Sequence, residues 1–326
     1  MRYFLTGGTG FIGGEVARQL RAAGHDVIAL IRSPQKAQPL IDLGVTPCQG
    51  DITDQASMRA AMSGVDGVFH IAGWYKISEG TRQEAEAINI RGTRAVFELV
   101  RDLRIPKAVY TSTVAVYGNT HGVVPDENFT FAGGKFTNEY ERTKWIAYHQ
   151  IALPMIHAGL PLVVVLPGVV YGPGDPSLLH RTLIQYMFRR LPAAPKGTAY
   201  SWSHVEDIAR GHILAMDKGT PGESYILGGQ IYTALEALKL RGDVSGIRPV
   251  PIHFGPGMFK LVAAVTSILE KFLPIPVYYR SESLHTFGGV TYIGNDAKAR
   301  RELGYTERPL LDGLREVARQ DMEQKA

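Results

Sequence analysis

Thr6-Gly7-Gly8-Thr9-Gly10-Phe11-Ile12-Gly13 lies between an apolar run, Tyr3-Phe4-Leu5, and an amphipathic run that ends at Gly24. The apolar run predicts a buried strand and the amphipathic run predicts a helix. Glycines at every third position permit a tight turn, close approach of a ligand to the backbone and close packing of helix on sheet. The N-terminus of the helix offers N–H groups to phosphates. This turn therefore predicts a dinucleotide site, with contacts from Gly7, Thr9, Gly10, Phe11, Ile12 and Gly13.

Strand and helix patterns alternate through the first half of the chain. Apolar runs predict further strands at 26–31, 45–49, 67–71, 107–112 and 161–166. Regular alternation predicts right-handed crossovers and an α/β fold with a doubly wound parallel sheet.

After Pro167 the alternation stops, and we expect a smaller, discontinuous and mainly helical C-terminal lobe. The predicted dinucleotide-binding domain comprises residues 1–166 and about 198–228, and the predicted substrate lobe comprises about 167–197 and 229–326. Ser203 and Glu206 have the spacing of a capping box, which predicts a helix from there to about Lys218.

Composition excludes several classes of protein. The 326 residues carry a net charge of +4 without a long basic run, so nucleic-acid binding is not indicated. A single cysteine, Cys48, excludes a disulfide framework and a multi-cysteine metal site, and we expect no metal. We see no secretory signal and no run long enough to span a bilayer, which favours a cytoplasmic protein.

Tyr140 and Lys144 are the candidate acid–base pair. Four residues advance a helix by about 400°, so both side chains share one face. An ammonium group beside a phenol favours the phenolate, so we expect Lys144 to lower the pKa of Tyr140. The spacing alone also occurs often by chance in ordinary helices.

Several segments in a fixed order resemble the extended branch of the short-chain dehydrogenases/reductases. They are Thr6–Gly13, His70–Gly73, Asn89–Thr93, Thr111–Gly118, Tyr140–Lys144 and Pro167–Pro173. The resemblance implies a Rossmann-type fold and hydride transfer with a nicotinamide nucleotide. It implies that Tyr140 is the proton donor or acceptor, that Thr113 binds the reacting oxygen, and that Lys144 binds the nicotinamide ribose. The Asn89 amide is expected to hold a water that leads to Lys144. Further cofactor contacts are implied for Ala72, Gly73, Thr111, Ser112, Pro167, Gly168 and Val170.

The end of the second predicted strand bears on the choice of cofactor. NAD-binding members carry an acidic residue there, whereas this chain has Arg32, with Lys36 nearby. An arginine pairs with a 2′-phosphate, so we expect NADP(H) to be favoured over NAD(H). Asp51 and Ile52 resemble the segment that meets the adenine. The alternatives are a solvated arginine at position 32 and a helix N-cap at Asp51.

The candidate substrate contacts are Trp74, Tyr75, Thr113, Tyr171 and Met187. Nucleotide-sugar members often carry an Asn after the sixth strand, whereas Val165-Leu166-Pro167-Gly168-Val169 stands here, and the later segments resemble the dihydroflavonol-reductase-like group. The favoured function is an oxidoreductase for a small apolar carbonyl substrate. A nucleotide-sugar epimerase or dehydratase is the alternative, and a catalytically silent NADP-binding regulatory protein is the third.

Two further expectations concern surfaces. The run from Met258 to Phe272 either covers an apolar substrate or packs within the small lobe, and packing is favoured. Extended relatives often form homodimers through a four-helix contact, which here would use Gln83–Leu103 and Asn138–His157.

Overall fold

A computed structural model of the chain describes residues 1–187, 190, 194–246 and 252–323. The strands are β1 Arg2–Thr6, β2 Asp26–Ile31, β3 Thr46–Gln49, β4 Gly67–His70, β5 Ala108–Thr111, β6 Leu162–Pro167, β7 Val169–Tyr171, β8 Ala194–Pro195, β9 Ala199–His204, β10 Ser224–Leu227, β11 Gln230–Thr233, β12 His253–Phe254 and β13 Thr291–Tyr292. The helices are α1 Phe11–Ala22, α2 Gln38–Asp42, α3 Gln55–Met62, α4 Arg82–Ala85, α5 Thr93–Asp102, α6 Glu139–Ile146, α7 Leu153–His157, α8 Leu178–Met187, α9 Val205–Lys218, α10 Ala234–Ser245, α11 Pro256–Leu269, α12 Ser281–Phe287 and α13 Leu310–Glu323.

The predicted doubly wound parallel sheet is confirmed. Its seven strands lie in the order β3-β2-β1-β4-β5-β6-β10, and all neighbours are parallel. The chain runs outward from β1 to β3 and then returns to β4 on the other side of β1. This reversal makes the carboxyl ends of β1 and β4 the expected ligand crevice.

Helices cover both faces of this sheet, which explains why its central strands are apolar throughout. The helical runs 82–102 and 139–157 cover one face, and each contains a π-helical segment, at Glu86–Gly92 and Ala147–Ala152. Helices α1 and α9 pack together over the other face. Residues on β5 alternate between the two cores, with Tyr110 on one side and Val109 on the other.

The C-terminal half contains a second sheet that the sequence did not indicate. Strand β9 is paired by β7, β11 and β13, and this sheet buries Tyr171 and Trp202 against helix α13. The capping box predicted at Ser203 is wrong, because Ser203 belongs to β9 and donates its hydroxyl to the Gly228 carbonyl at 2.6 Å. The strand pairing extends to His204, which becomes the N-cap of α9 instead.

Candidate active site

The glycine turn after β1 has the shape of a phosphate cradle. Gly7 has φ +78°, and a Cβ atom there would lie 2.6 Å from the Ala72 nitrogen. A Cβ on Gly13 would lie 2.1 Å from the Gly7 carbonyl oxygen, so this position tolerates no side chain. Gly10 is exposed and caps α1 without a side-chain hydrogen bond. The first N–H groups of α1 therefore have no intrahelical acceptor and suit a pyrophosphate.

Arg32, which is predicted to favour NADP(H) over NAD(H), follows the end of β2. Arg32 is exposed and makes no hydrogen bond or ion pair with the described residues, and Lys36 is exposed in the short turn that follows. Asp51 accepts hydrogen bonds from the Thr53 backbone and hydroxyl at 2.9 and 2.7 Å. Asp54 caps α3, so the alternative interpretation of Asp51 as that N-cap is wrong. The side chain of Ile52 is buried in the core beside α5.

Lys144 is buried at the carboxyl end of β5, with 4% of its surface exposed. Its Nζ donates to the Thr111 carbonyl at 2.7 Å. A Cβ placed on Gly73 would lie 3.6 Å from this Nζ and 3.5 Å from Asn89 Oδ1, so three separate segments meet here. Burial lowers the pKa of Lys144 to about 7, because the charged form loses its hydration.

The Asn89 amide holds the segment after β4 in place. Its Oδ1 accepts from the Trp74 nitrogen at 2.7 Å, and its Nδ2 donates to the Trp74 carbonyl at 3.1 Å and to Thr143 Oγ1 at 2.9 Å. Both amide hydrogens therefore bind protein atoms, which leaves neither for the expected water. The sequence did not point to Thr143, whose hydroxyl links Asn89 to helix α6.

Tyr140 is half-buried and lies beside Tyr75 and Thr113. The Tyr75 ring meets the Tyr140 ring edge to face at 4.8 Å, and 49% of Tyr75 is exposed. Burial raises the pKa of Tyr140 to about 12, while the Thr113 hydroxyl acts in the opposite direction. The expected lowering of this pKa by Lys144 is therefore wrong for the free protein. Loss of hydration opposes the phenolate, and it also leaves Lys144 only about half protonated at pH 7.

Ser112 and Thr113 line the same edge of the sheet. The Ser112 hydroxyl is buried and has no hydrogen-bond partner among the described residues. Thr113 Oγ1 accepts from the Ala115 nitrogen at 3.2 Å, which leaves its proton free to be donated elsewhere. A buried hydroxyl without a protein partner is available to bind a water molecule or a ligand group.

The other three predicted substrate contacts have surroundings that differ from those of Tyr75 and Thr113. Trp74 is buried in the segment that Asn89 holds. Tyr171 packs against Trp202 and His204, so its described contacts are those of a core residue. Met187 ends α8, and its side chain lies outside the described residues.

The loop after β6 packs closely on the second sheet. A Cβ on Gly168 would lie 2.3 Å from the Ser201 carbonyl oxygen. Pro167 ends β6, and Val170 is half-buried in β7. The backbone of this loop therefore joins the two sheets.

A buried network of hydrogen bonds, for which the sequence suggested no role, adjoins the glycine turn. His70 Nδ1 lies 2.8 Å from Thr6 Oγ1, and its Nε2 lies 3.0 Å from Thr93 Oγ1. Thr6 Oγ1 also accepts from the Ala72 nitrogen at 3.2 Å. Burial lowers the pKa of His70 to about 3, so the ring is neutral at physiological pH. The sequence did contain a signal for this network, namely a histidine within an apolar strand. A buried histidine requires polar partners.

Within the described part of the chain, no group of three His, Cys, Asp or Glu side chains is arranged to hold a metal ion. The groups that converge are a phosphate cradle, an exposed cation, and a Thr113, Tyr140 and Lys144 set at the carboxyl ends of parallel strands. These groups fit a nicotinamide nucleotide with its pyrophosphate on α1.

The fold and this arrangement are those of an extended short-chain dehydrogenase/reductase. The chain belongs to the NAD-dependent epimerase/dehydratase family, whose model matches residues 3–228. It is 31% identical to sterol demethylase protein B of Methylococcus capsulatus over 310 residues, which cover 93% of each chain.

Two further similarities extend over nearly the whole chain. A 4-hydroxy-2-methyl-3-oxo-4-farnesyl-3,4-dihydroquinoline-1-oxide ketoreductase of Stigmatella aurantiaca is 30% identical, with 97% of this chain and 96% of the relative covered. The crystal structure of gox2253 is similar with a TM-score of 0.86 and 28% identity, covering 99% of this chain and 98% of that one.

Proposed function

We propose that this protein is an NADP(H)-dependent reductase that interconverts a carbonyl and an alcohol on a small hydrophobic substrate. The observation that carries the proposal is the meeting of Tyr140, Thr113 and buried Lys144 beside an exposed aromatic side chain, Tyr75. A hydroxyl pair and a nearby cation are what a carbonyl oxygen requires as it gains charge.

A bound nicotinamide nucleotide supplies or accepts the hydride. In the reductive direction, Tyr140 donates its hydroxyl proton to the carbonyl oxygen, and Thr113 donates a hydrogen bond to the same oxygen. Lys144 stabilises the phenolate that remains, provided that it carries a proton. Its pKa of about 7 makes that condition sensitive to pH in the neutral range.

Two observations support a hydrophobic substrate over a nucleotide sugar. Tyr75 presents about half of its surface beside Tyr140, which suits an apolar or aromatic group. The two relatives named above carry the names of a sterol and of a farnesylated quinoline oxide. In this proposal, residues 1–166 and about 198–228 bind the cofactor, and the rest of the chain selects the substrate.

The preference for NADP(H) rests on Arg32. Its side chain is exposed at the end of β2 and has no described partner that would neutralise it. A 2′-phosphate would gain a charge-assisted hydrogen bond there, whereas the 2′-hydroxyl of NAD would not.

The decisive experiment measures turnover of hydrophobic ketones and aldehydes, UDP-sugars and GDP-sugars with NADPH and with NADH. We expect net oxidation of NADPH with a hydrophobic carbonyl. The Tyr140→Phe variant should lose about 10²–10⁴-fold in turnover with little change in cofactor affinity. Tyr279→Phe, at an exposed tyrosine, is the matched control.

Other outcomes would select the alternatives. Interconversion of a nucleotide sugar without net loss of NADPH would identify an epimerase. Tight cofactor binding without turnover of any compound would favour a regulatory protein. Full activity in Tyr140→Phe would refute the assignment of the proton donor.

A further inference from the structure

Helix α11 and the turn after it present an exposed apolar surface. We call it the α11 surface and define it by Leu261, Val265, Ile268, Leu269, Phe272 and Leu273. Their exposed fractions run from 40% for Leu269 to 79% for Phe272. The opposite side of the helix, with Ala263 and Thr266, is buried, and α11 packs on α12. The helix is therefore apolar on both sides, and one side has no cover among the described residues.

The exposed side chains distinguish this surface from a substrate lid. Leu261 and Ile268 are 60% and 61% exposed and point away from the helix side that packs on the protein. A lid would bury its apolar residues toward the ligand, whereas these face outward. The packing expected for 258–272 is thus found on one side of the helix and not on the other.

The length of α11 suits a helix that lies parallel to a membrane surface rather than one that crosses the bilayer. Its 14 residues extend about 21 Å, which is shorter than the roughly 30 Å hydrocarbon core of a bilayer. No described helix combines the length and apolar character needed to span a bilayer. A short apolar helix attached to a folded protein can instead lie in the interface and bury one side.

The charges on the α11 surface complement an anionic membrane. Between Ile252 and Leu273, the charged side chains are Lys260, Glu270 and Lys271, all exposed. The Glu270 carboxylate accepts hydrogen bonds from the Ser281 hydroxyl at 2.7 Å and from its nitrogen at 3.2 Å. The two lysines are therefore free to approach lipid phosphates, and each such contact favours anionic lipid.

A second copy of the chain suits this surface less well. Two-fold contact of the surface with itself would bring Lys260 and Lys271 of both copies into one interface. Its one acid, Glu270, is already engaged by Ser281. Charged residues that gather without partners oppose burial in a protein interface.

Helix α12 connects the α11 surface to the candidate active site. Glu282 Oε2 accepts from the Ser78 nitrogen at 2.6 Å, in the segment that follows Tyr75. Thr286 Oγ1 lies 3.1 Å from Nδ2 of Asn138, the N-cap of the helix that carries Tyr140. A membrane in contact with α11 would thus lie one helix away from the segment that follows Tyr75 and from the helix that carries Tyr140.

We propose that the α11 surface docks on the face of an anionic phospholipid bilayer, with the helix lying in the plane of the membrane. The six apolar side chains enter the interface, and Lys260 and Lys271 meet lipid phosphates. This inference needs neither cofactor nor turnover, so it can fail while the proposed reductase function stands.

The test is co-flotation of the full chain with vesicles. One set contains phosphatidylcholine alone, and the other contains about one-third phosphatidylglycerol in phosphatidylcholine. We expect binding to the anionic vesicles and a loss of about tenfold or more in the Leu261→Glu/Ile268→Glu variant, because two charges would enter the interface. The matched control is Ile41→Glu/Leu43→Glu, two exposed apolar positions at α2 that should leave binding unchanged.

A second variant and a second measurement make the test specific. Lys260→Glu/Lys271→Glu should abolish the difference between the two lipid sets while the thermal unfolding midpoint stays unchanged. Failure of the natural protein to bind anionic vesicles would overturn the proposal, as would equal binding by Leu261→Glu/Ile268→Glu. Sedimentation without vesicles tests the alternative that a second copy of the chain covers this surface. If the natural protein is a dimer that Leu261→Glu/Ile268→Glu dissociates, and it does not bind vesicles, the surface is an interface between two copies.

Discussion

Replacement of Lys144 by methionine should change how the stability of this protein depends on pH. Methionine keeps an unbranched apolar stem but has no ionisable group. Lys144 is 4% exposed, and burial lowers its pKa to about 7 from an ordinary value near 10.5. The unfolded chain therefore binds one more proton at this residue than the folded chain does between about pH 7 and pH 10.5.

The sign of the effect follows from that difference. Stability rises with pH wherever the unfolded state binds more protons, so Lys144 adds a positive slope above pH 7 that approaches about 1.4 kcal/mol per pH unit. Below pH 7 both states are protonated, and the natural protein bears the full cost of burying the ammonium group. The free energy of unfolding of Lys144→Met, relative to the natural protein, should therefore fall by about 2 kcal/mol between pH 6.5 and pH 8.5. The lost hydrogen bond to the Thr111 carbonyl adds a constant penalty of about 1–3 kcal/mol.

Urea unfolding of both proteins at pH 6.5, 7.5 and 8.5 measures this difference. Burial is the larger cause of the low pKa of His70 and the Lys144 charge is the smaller one, so the histidine contributions should be nearly the same in both proteins at these pH values. Lys239→Met, at an exposed lysine, should run parallel to the natural protein. A constant difference between Lys144→Met and the natural protein over this range would show that Lys144 titrates outside it, and the pH sensitivity assigned to the site would be wrong.

Three further predictions concern cofactor and substrate. Arg32→Asp should reverse the preference for NADPH over NADH, with a change in relative binding of about 1–3 kcal/mol, and equal affinities in the natural protein would contradict it. Gly13→Ala should destabilise the fold and weaken cofactor binding in titrations, because its Cβ would lie 2.1 Å from the Gly7 carbonyl oxygen; normal behaviour would show that the turn can relax. Thr113→Ser should retain most turnover in steady-state assays while Thr113→Val loses it, and similar rates in both would exclude a role for the hydroxyl.

The first half of the fold was predictable because its signals are local. Strand β1, the glycine turn and helix α1 occupy consecutive residues. The apolar run, the glycine spacing and the amphipathic run each indicate one kind of structure. The second sheet was not predictable, because β13 is two residues long and pairs Thr291 with Ala199, far away in the chain. Ser203 shows the consequence, since a local capping pattern was overridden by a distant strand pairing.

The residues of the candidate site could be assigned from their order, but their electrostatics could not. The pKa of Lys144 depends on how completely Gly73, Asn89 and Thr111 enclose it, and these residues come from three separate segments. The sequence shows a cation four residues from a phenol. Whether that cation keeps its charge depends on burial, which only the assembled fold defines.

The segment from His70 to Trp74 shows how the fold prepares the site before any ligand binds. The helical run 82–102 holds both ends of this segment, since Thr93 bonds His70 at 3.0 Å and Asn89 bonds the Trp74 nitrogen at 2.7 Å. Thr6, at the end of β1, binds the Ala72 nitrogen in the middle. Strand β4 and the turn after β1 are thereby fixed relative to each other at the reversal of the sheet. Because these buried groups already satisfy one another, the cradle requires little reorganisation when a dinucleotide binds, and more of the binding energy remains for orienting the reacting groups.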